Sequence, residues 1–466
     1  MNKKPSAAFE SDLLDRTPFC QKLESFILTE HHFVEGGLVI SLNASFGSGK
    51  TTLLNMWAKD LNARRQAKTS LPRPVVVNAW ESDYCGDPLI AIISALSHAL
   101  ADTTTGDAQP AQANALREAA KDIGWFAVGL ANSFVSNATG IDVVGAGALA
   151  EEKKTQRDEA AKASFDILKA YDKRREALSK LKSTLTTAFG GADPKAIVLI
   201  DELDRCRPDY AISYLETIKH IFDIHGIVFV LSVDEQQLES ASSVLFGPKL
   251  VFREYYRKFA HRSILLPVPA KADIYRLAES YARRYLQTDG KRWCILQLNE
   301  RYIENISRLI EAFKLAPRQV QEAFRILGHV CSKPADDKST LPWGFGAGVM
   351  FLTCLRVTNQ IDYHRLGKNL VPIQELSTLL KPLFESRQIF DWWFRVLAAG
   401  FKQDEAWRTS VLDELRRLKI IEPGTHELSS SQVFSEYNRG WQNDFDDESG
   451  LSTLYRRIEL VQTYSD

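Results

Sequence analysis

"LNASFGSGKTTLLNMW", residues 42–57, places two glycines, a lysine and hydroxyl residues between an apolar run and a helical pattern. The apolar run LVISL covers residues 38–42. Apolar residues then recur at helical spacing at Leu53, Leu54, Trp57 and Leu61. A strand, a glycine-rich turn and a helix are the context of a phosphate-binding loop of the form G-x-x-x-x-G-K-[ST]. The stretch therefore predicts such a loop, with Ala44 standing where the pattern has its first glycine.

The chemistry of this loop assigns a role to each residue type. Glycines let the backbone turn its N–H groups toward phosphate oxygens, Lys50 adds a positive charge, and the Thr51 hydroxyl ligates Mg²⁺. Alanine at position 44 is tolerated where its φ is negative. The residues predicted to contact the nucleotide are Phe46, Gly47, Ser48, Gly49, Lys50, Thr51 and Thr52. Lys50 is also assigned to catalysis.

Two further apolar runs end in acids. KAIVLIDELDRCRPD (195–209) delivers Asp201 and Glu202 to the end of a strand. We expect Asp201 to hold Mg²⁺, mostly through water, and Glu202 to polarise the attacking water. GIVFVLSVDEQQL (226–238) ends its apolar part at Asp234. Asp234 either orients the attacking water or the γ-phosphate, or caps the following helix.

Composition and charge exclude several classes of protein. The 466 residues suffice for two or three domains. Lys+Arg number 58 and Asp+Glu 59, so the net charge of −1 gives no global basic field for nucleic acid. The six cysteines form no C-x-x-C pair, which argues against a disulfide framework or a zinc site. The first residues lack the apolar segment of a secretory signal, and we expect a cytoplasmic protein.

The alternation of strands and helices predicts the fold class. Apolar strand patterns occur at 38–42, 74–80, 195–201, 226–234 and 262–269. Helical patterns between them predict an α/β fold, with a parallel sheet covered by helices on both faces. Three domains are expected: a nucleotide-binding core at 1–270 with an insertion at about 101–190, a helical lid at 271–335, and a helical C-terminal domain at 336–466. SKPADDKST (332–340) is interpreted as a linker.

The insertion contains one stretch that bears on membrane contact. Residues 123–141 carry no charge over 19 positions, but amides and hydroxyls dilute their apolar character. We expect a soluble helix or loop here, with membrane contact as the alternative. Residues 151–187 have the pattern of a long amphipathic helix.

Several of these stretches resemble the KAP family of P-loop NTPases. The resemblance covers residues 12–330, and its specific parts are Asn78-Ala79-Trp80 and Asp204-Arg205-Cys206. It implies an ASCE-type ATPase, broadly related to AAA+ and STAND proteins, that uses ATP and Mg²⁺ with Glu202 as the catalytic acid. Some members are linked to bacterial phage exclusion and others to membrane scaffolds. Ala44 departs from the family loop, and the transmembrane helices of many members have only residues 123–141 as a counterpart.

Arginines that could stabilise the transition state are numerous. The candidates near the core are Arg205, Arg207, Arg253, Arg257 and Arg262. ASCE ATPases commonly take such an arginine from a neighbouring subunit, so we expect a homo-oligomer. Arg318, at a helix start, resembles the sensor arginine of a helical lid, with a structural ion pair as the alternative.

Three functions follow from these observations. The first is a regulatory ATPase switch or assembly ATPase, by family resemblance in bacterial anti-phage defence, which presents its helical C-terminal half to a partner protein. The second is a scaffold that binds nucleotide without significant turnover, for which Ala44 is the support. The third is a DNA-stimulated ATPase, which needs a local basic stripe; nucleic-acid binding is left open.

Overall fold

The computed structural model describes most of the chain. The described residues are 12–102, 108–121, 172–173, 175–288, 292–296, 299–336, 338–401, 403–421, 430–441 and 449–463. The chain divides into two compact units. The first comprises Met1–Asp12 and Arg16–Pro267, and the second comprises Leu13–Asp15 and Val268–Asp466.

A five-stranded parallel sheet forms the centre of the first unit. Its strands are β1 (Leu38–Asn43), β2 (Arg73–Asn78), β3 (Ala196–Asp201), β4 (Ile227–Val233) and β5 (Arg262–Leu265). Their spatial order is β2-β3-β4-β1-β5. The five predicted strands are therefore present, although two are shorter than predicted. β2 ends before Ala79 and Trp80, which begin a short helix, and β5 ends at Leu265 instead of residue 269.

Burial on both faces explains why the inner strands are apolar without alternation. Every residue of β3 and β4 is buried. Successive side chains point to opposite faces, so Leu38 and Ile40 join one hydrophobic core while Val39 joins another. The predicted α/β fold, with helices on both faces of a parallel sheet, is confirmed.

Helices of the first unit connect these strands. They are α1 (Thr17–Glu30), α2 (Lys50–Ala67), α3 (Ala79–Asp83), α4 (Pro88–Ala101), α5 (110–121), α6 (175–189), α7 (Pro208–Ile221), α8 (Glu235–Phe246) and α9 (Phe252–Tyr256). The predicted helix at 151–187 is helical over 175–187, and most of its earlier part lies outside the described residues. Residues 123–141 also lie outside them.

The second unit is mainly helical, as predicted. Its helices are α10 (Lys271–Tyr285), α11 (Glu300–Ala312), α12 (Pro317–Cys331), α13 (Trp343–Thr358), α14 (Gln360–Gly367), α15 (Ile373–Leu380), α16 (Arg387–Ala399), α17 (Glu405–Arg417), α18 (Ser430–Trp441) and α19 (Gly450–Thr463). One continuous hydrophobic core extends from Leu277 to Ile458. Since this core contains residues on both sides of 335, a boundary there between lid and C-terminal domain stays a prediction.

One prediction for the second unit is wrong in part. The linker proposed at 332–340 begins with a strand, β7 (Ser332–Pro334), which pairs antiparallel with β6 (Arg292–Cys294). Ser-Lys-Pro lacks the apolar alternation that identifies a strand, and the pairing depends on a segment 38 to 42 residues earlier. Local pattern therefore could not reveal this pair of strands.

The length and the apolar character of a helix decide whether it can span a lipid bilayer. Within the part of the chain that the structure describes, no helix combines the length and the apolar character that a membrane span requires.

Candidate functional site

The predicted site residues of the first unit lie at the edge of the sheet where its parallel strands end. The phosphate-binding loop follows β1, the acids Asp201 and Glu202 lie at the end of β3, and Asp234 follows β4. β4 lies between β1 and β3 in the sheet. Asp234 is therefore placed between the loop and the acid pair, and the sheet brings together three stretches that are far apart in sequence.

The loop has the backbone conformation that its glycines permit. Gly47 and Gly49 have φ values of 79° and 93°, in the left-handed region that favours glycine. A Cβ added to Gly49 would contact nothing within 4 Å, so conformation and not space requires glycine there. Ala44 has no positive φ, and its N–H donates to the Val233 carbonyl at 3.1 Å. The expected condition for alanine at position 44 is met.

Lys50, the first residue of α2, is held between the loop and an acid. Its Nζ donates to the Ala44 carbonyl at 2.5 Å and lies 3.5 Å from Oδ2 of Asp204. The side chains of Lys50 and Asp204 are only 10% and 8% exposed. Oδ2 of Asp204 also accepts the Asp234 N–H at 2.8 Å. The sequence indicated Asp204 only as part of a family motif, and no spacing rule assigned it to the lysine.

The remaining loop residues surround the start of α2. Thr51 and Thr52 are exposed in its first turn, and Phe46 is half-exposed at the loop tip. The Ser48 hydroxyl oxygen is buried and has no hydrogen-bond partner among the described residues. A buried hydroxyl oxygen next to left-handed glycines is consistent with a ligand-binding loop, since most buried polar atoms in proteins are hydrogen-bonded.

Asp201 is the residue best suited to a metal ion. It is the last residue of β3 and only 4% exposed. Within the described part of the chain, its Oδ1 is buried without a hydrogen-bond partner. A carboxylate oxygen is the ligand type that Mg²⁺ prefers, and a buried one without a partner is costly unless something else satisfies it. Asp201 therefore fits the metal-binding role predicted for it, and the role of the Thr51 hydroxyl stays a prediction.

Glu202 has a strained backbone, and each oxygen of its carboxylate has one partner. Its φ is 60°, a left-handed conformation that costs a non-glycine residue on the order of 1–3 kcal/mol and often marks functional sites. Asn78 Nδ2 donates to Oε2 at 3.1 Å, and Arg205 contacts Oε1 at 2.9 Å. The Cys206 thiol donates to the Glu202 carbonyl at 3.6 Å. Burial, with the nearby Asp83 carboxylate, raises the pKa of Cys206 to about 12, so the thiol keeps its proton.

Asn78 is a site residue whose contacts the sequence did not reveal. Besides contacting Glu202, its Oδ1 accepts the N–H groups of Trp80 at 3.0 Å and Glu81 at 3.3 Å. It thereby caps the short helix α3. A helix cap is a local signal, but the contact with Glu202 joins residues 124 positions apart.

Asp234 performs the structural part of its two predicted roles. Its Oδ1 accepts the Gln236 N–H at 3.1 Å, which caps α8. Its Oδ2 accepts the Phe46 N–H at 3.2 Å and so ties the loop to the end of β4. A catalytic role for Asp234 stays a prediction.

The arginine candidates have different surroundings. Nε of Arg207 contacts Asp83 at 2.9 Å, and Arg262 contacts Glu30 at 2.7 Å. Arg253 and Arg257 are exposed in and after α9. Arg318 lies in the second unit, in the first turn of α12, and its role stays a prediction.

The sequence was also compared with known proteins. The model of the KAP family P-loop domain matches residues 16–332. Similar solved structures include the ORC2 protein of Aeropyrum pernix in ADPNP–ADP complexes, with 13% identity, 98% of this chain and 99% of that chain covered, and a TM-score of 0.37. The Aeropyrum pernix ORC1 protein in complex with DNA has 13% identity, coverage of 91% and 92%, and a TM-score of 0.36. No curated protein sequence matches the chain. Because the family model extends over more than half of its residues, the chain belongs to the KAP family of P-loop NTPases.

Proposed function

We propose that this chain binds ATP with Mg²⁺, hydrolyses it, and acts as a nucleotide-dependent switch or assembly ATPase. One observation carries the proposal: a buried carboxylate oxygen of Asp201 without a described partner, at the same sheet edge as the Lys50 loop. A loop for phosphate and an acid for a metal ion are the two parts that phosphoryl transfer requires.

Each residue has a defined task in this proposal. The loop N–H groups and Lys50 hold the phosphates, and Thr51 and Asp201 hold Mg²⁺. The metal ion supplies charge neutralisation on the phosphate oxygens. Glu202 accepts the proton of the attacking water, for which its carboxylate must keep one lone pair free of Asn78 and Arg205. Asp234 keeps the loop in place through the Phe46 N–H.

Hydrolysis is tested by phosphate release from ATP with and without Mg²⁺. We expect a low turnover that requires Mg²⁺ and is lost in Lys50→Ala, because that variant removes the cation held at the loop. Lys121→Ala is the matched control, since Lys121 is an exposed lysine that pairs with Glu118 in α5. Tight ATP binding without phosphate release in the wild-type protein would favour the non-catalytic scaffold.

We further propose that ATP promotes a homo-oligomer in which a neighbouring subunit supplies an arginine. Arg257 is the favoured candidate, because it is exposed whereas Arg262 pairs with Glu30 of its own chain. Phosphate release per chain should rise with protein concentration, and mixing Lys50→Ala with Arg257→Ala chains should restore activity. Constant specific activity over a wide dilution range, with no rescue, would contradict this part.

The proposal also includes the cellular location, the biological role and the partner of the switch. We place it in the cytoplasm, in antiviral defence, with a protein partner on the helical C-terminal half. The support is family membership, together with a mainly helical second unit that follows the nucleotide-binding unit. Proteins that copurify with the chain only when ATP is retained would identify the partner.

A further inference from the structure

Two positively charged side chains of the site form ion pairs with acids of one short turn. Nζ of Lys50 lies 3.5 Å from Asp204, and a terminal nitrogen of Arg205 lies 2.9 Å from Glu202. Both acids belong to the turn that follows β3. A phosphate group carries more negative charge than a carboxylate and accepts hydrogen bonds on three oxygens, so it competes for both cations.

Aromatic rings place Arg205 at the open side of the loop. Its guanidinium carbon lies 5.1 Å from the centre of the Phe46 ring and 5.8 Å from that of Trp80. Phe46 belongs to the phosphate-binding loop, and Trp80 follows Asn78 in α3. Both rings are 52% exposed, and the Arg205 side chain is 35% exposed. The guanidinium therefore has solvent on one side, while the Glu202 side chain that it contacts is only 14% exposed.

We propose that Arg205 releases Glu202 and binds the terminal phosphate of ATP, so that the site distinguishes ATP from ADP. This inference rests on the proposed function. A guanidinium presents a planar fork of N–H donors that matches phosphate oxygens bidentately, and an aromatic face supports it from behind. The same movement removes one of the two donors that engage the Glu202 carboxylate.

A purely structural role makes a different prediction. If Arg205 only stabilised the left-handed conformation of Glu202, its removal would weaken ATP and ADP binding to the same extent. A residue that contacts the terminal phosphate changes the affinity for the triphosphate alone.

Calorimetric titration with ADP and with ATPγS, both with Mg²⁺, separates these cases. We expect the wild-type protein to bind ATPγS more tightly than ADP. Arg205→Ala should lose about tenfold in ATPγS affinity, as for one partly exposed charge-assisted hydrogen bond, while ADP affinity stays within about twofold. Arg205→Lys should keep part of the preference, because it retains the charge without the fork. Arg416→Ala, the matched control, should keep all of the preference, because Arg416 pairs with Asp413 three positions earlier in α17.

Failure of the Arg205 inference and failure of the proposed function give different results in these titrations. Equal losses for both nucleotides in Arg205→Ala, or a wild-type protein without preference for ATPγS, would overturn the inference and leave the proposed function standing. A wild-type protein that binds neither nucleotide would contradict the proposed function itself. If Arg205→Ala does not fold, Arg205→Lys decides, and an unchanged preference for ATPγS over ADP in that variant counts against the inference.

Discussion

Replacing Asp201 by asparagine should stabilise the nucleotide-free protein while destroying its response to Mg²⁺. Asp201 is 4% exposed, and its Oδ1 has no hydrogen-bond partner in the described part of the chain. An unsatisfied buried polar group costs about 1–3 kcal/mol, and a charged one costs more. Asparagine removes the charge but keeps the shape. We therefore expect the free energy of unfolding to rise by about 1 kcal/mol without nucleotide.

Asp204 provides the matched control for this experiment. Its Oδ2 accepts the Asp234 N–H at 2.8 Å and lies 3.5 Å from Nζ of Lys50. Asp204→Asn removes the charge from two satisfied contacts, and we expect the free energy of unfolding to fall by about 1–2 kcal/mol. Two carboxylates three positions apart should thus respond to the same substitution with opposite signs.

Urea unfolding followed by fluorescence measures both effects. Because the chain has two compact units, the relevant transition is the one that MgATP shifts in the wild-type protein. MgATP should shift this transition in the wild type and not in Asp201→Asn. If the free energy of unfolding of Asp201→Asn without nucleotide is lower than that of the wild type, the assignment of Asp201 as a metal ligand with an unsatisfied buried charge is refuted.

Two further predictions concern the first unit. Gly49→Ala should lower the free energy of unfolding by about 1–2 kcal/mol through its φ of 93° alone, and should also weaken ATP binding. Gly86→Ala, where φ is also positive and nothing lies within 4 Å, should lower stability while ATP binding stays unchanged. For His31, burial and the neighbouring His225 lower the pKa from 6.5 to about 4. As the pH falls from 6.5 to 5, protons bind the unfolded chain but not the folded one, and stability drops by about 2 kcal/mol from this group. In urea titrations, the free energy of unfolding of His31→Gln should fall by correspondingly less over this pH range than that of the wild type. An identical fall in both proteins would contradict the lowered pKa of His31.

The strands and the loop could be predicted from sequence because their causes are local. β3 and β4 are buried on both faces, so their residues form continuous apolar runs. The loop needs glycines for its positive φ values and a lysine at the helix start, and these fall within four consecutive positions, 47–50. The residues that bind phosphate are therefore the same residues that make up the sequence motif.

The contacts that complete the site have no such local cause. Asn78 reaches Glu202 across 124 positions, and Asp204 reaches Lys50 across 154, because β2, β3 and β1 end at one edge of the sheet. Three acids lie within four residues at the end of β3, at positions 201, 202 and 204, and no pattern states which of them faces the lysine. The left-handed backbone of Glu202 is equally invisible in the sequence, since the surrounding contacts impose it.

In the proposed mechanism, Glu202 accepts the proton of the attacking water at a site formed by the phosphate-binding loop, with its Lys50, and Asp201. The most direct measurement is the identity of the nucleotide that stays with the protein after incubation with MgATP and rapid gel filtration. We predict ADP on the wild-type protein and ATP on Glu202→Gln, because glutamine cannot accept the proton of the attacking water. The same proportion of ATP and ADP on both proteins, at equal occupancy, would contradict the account.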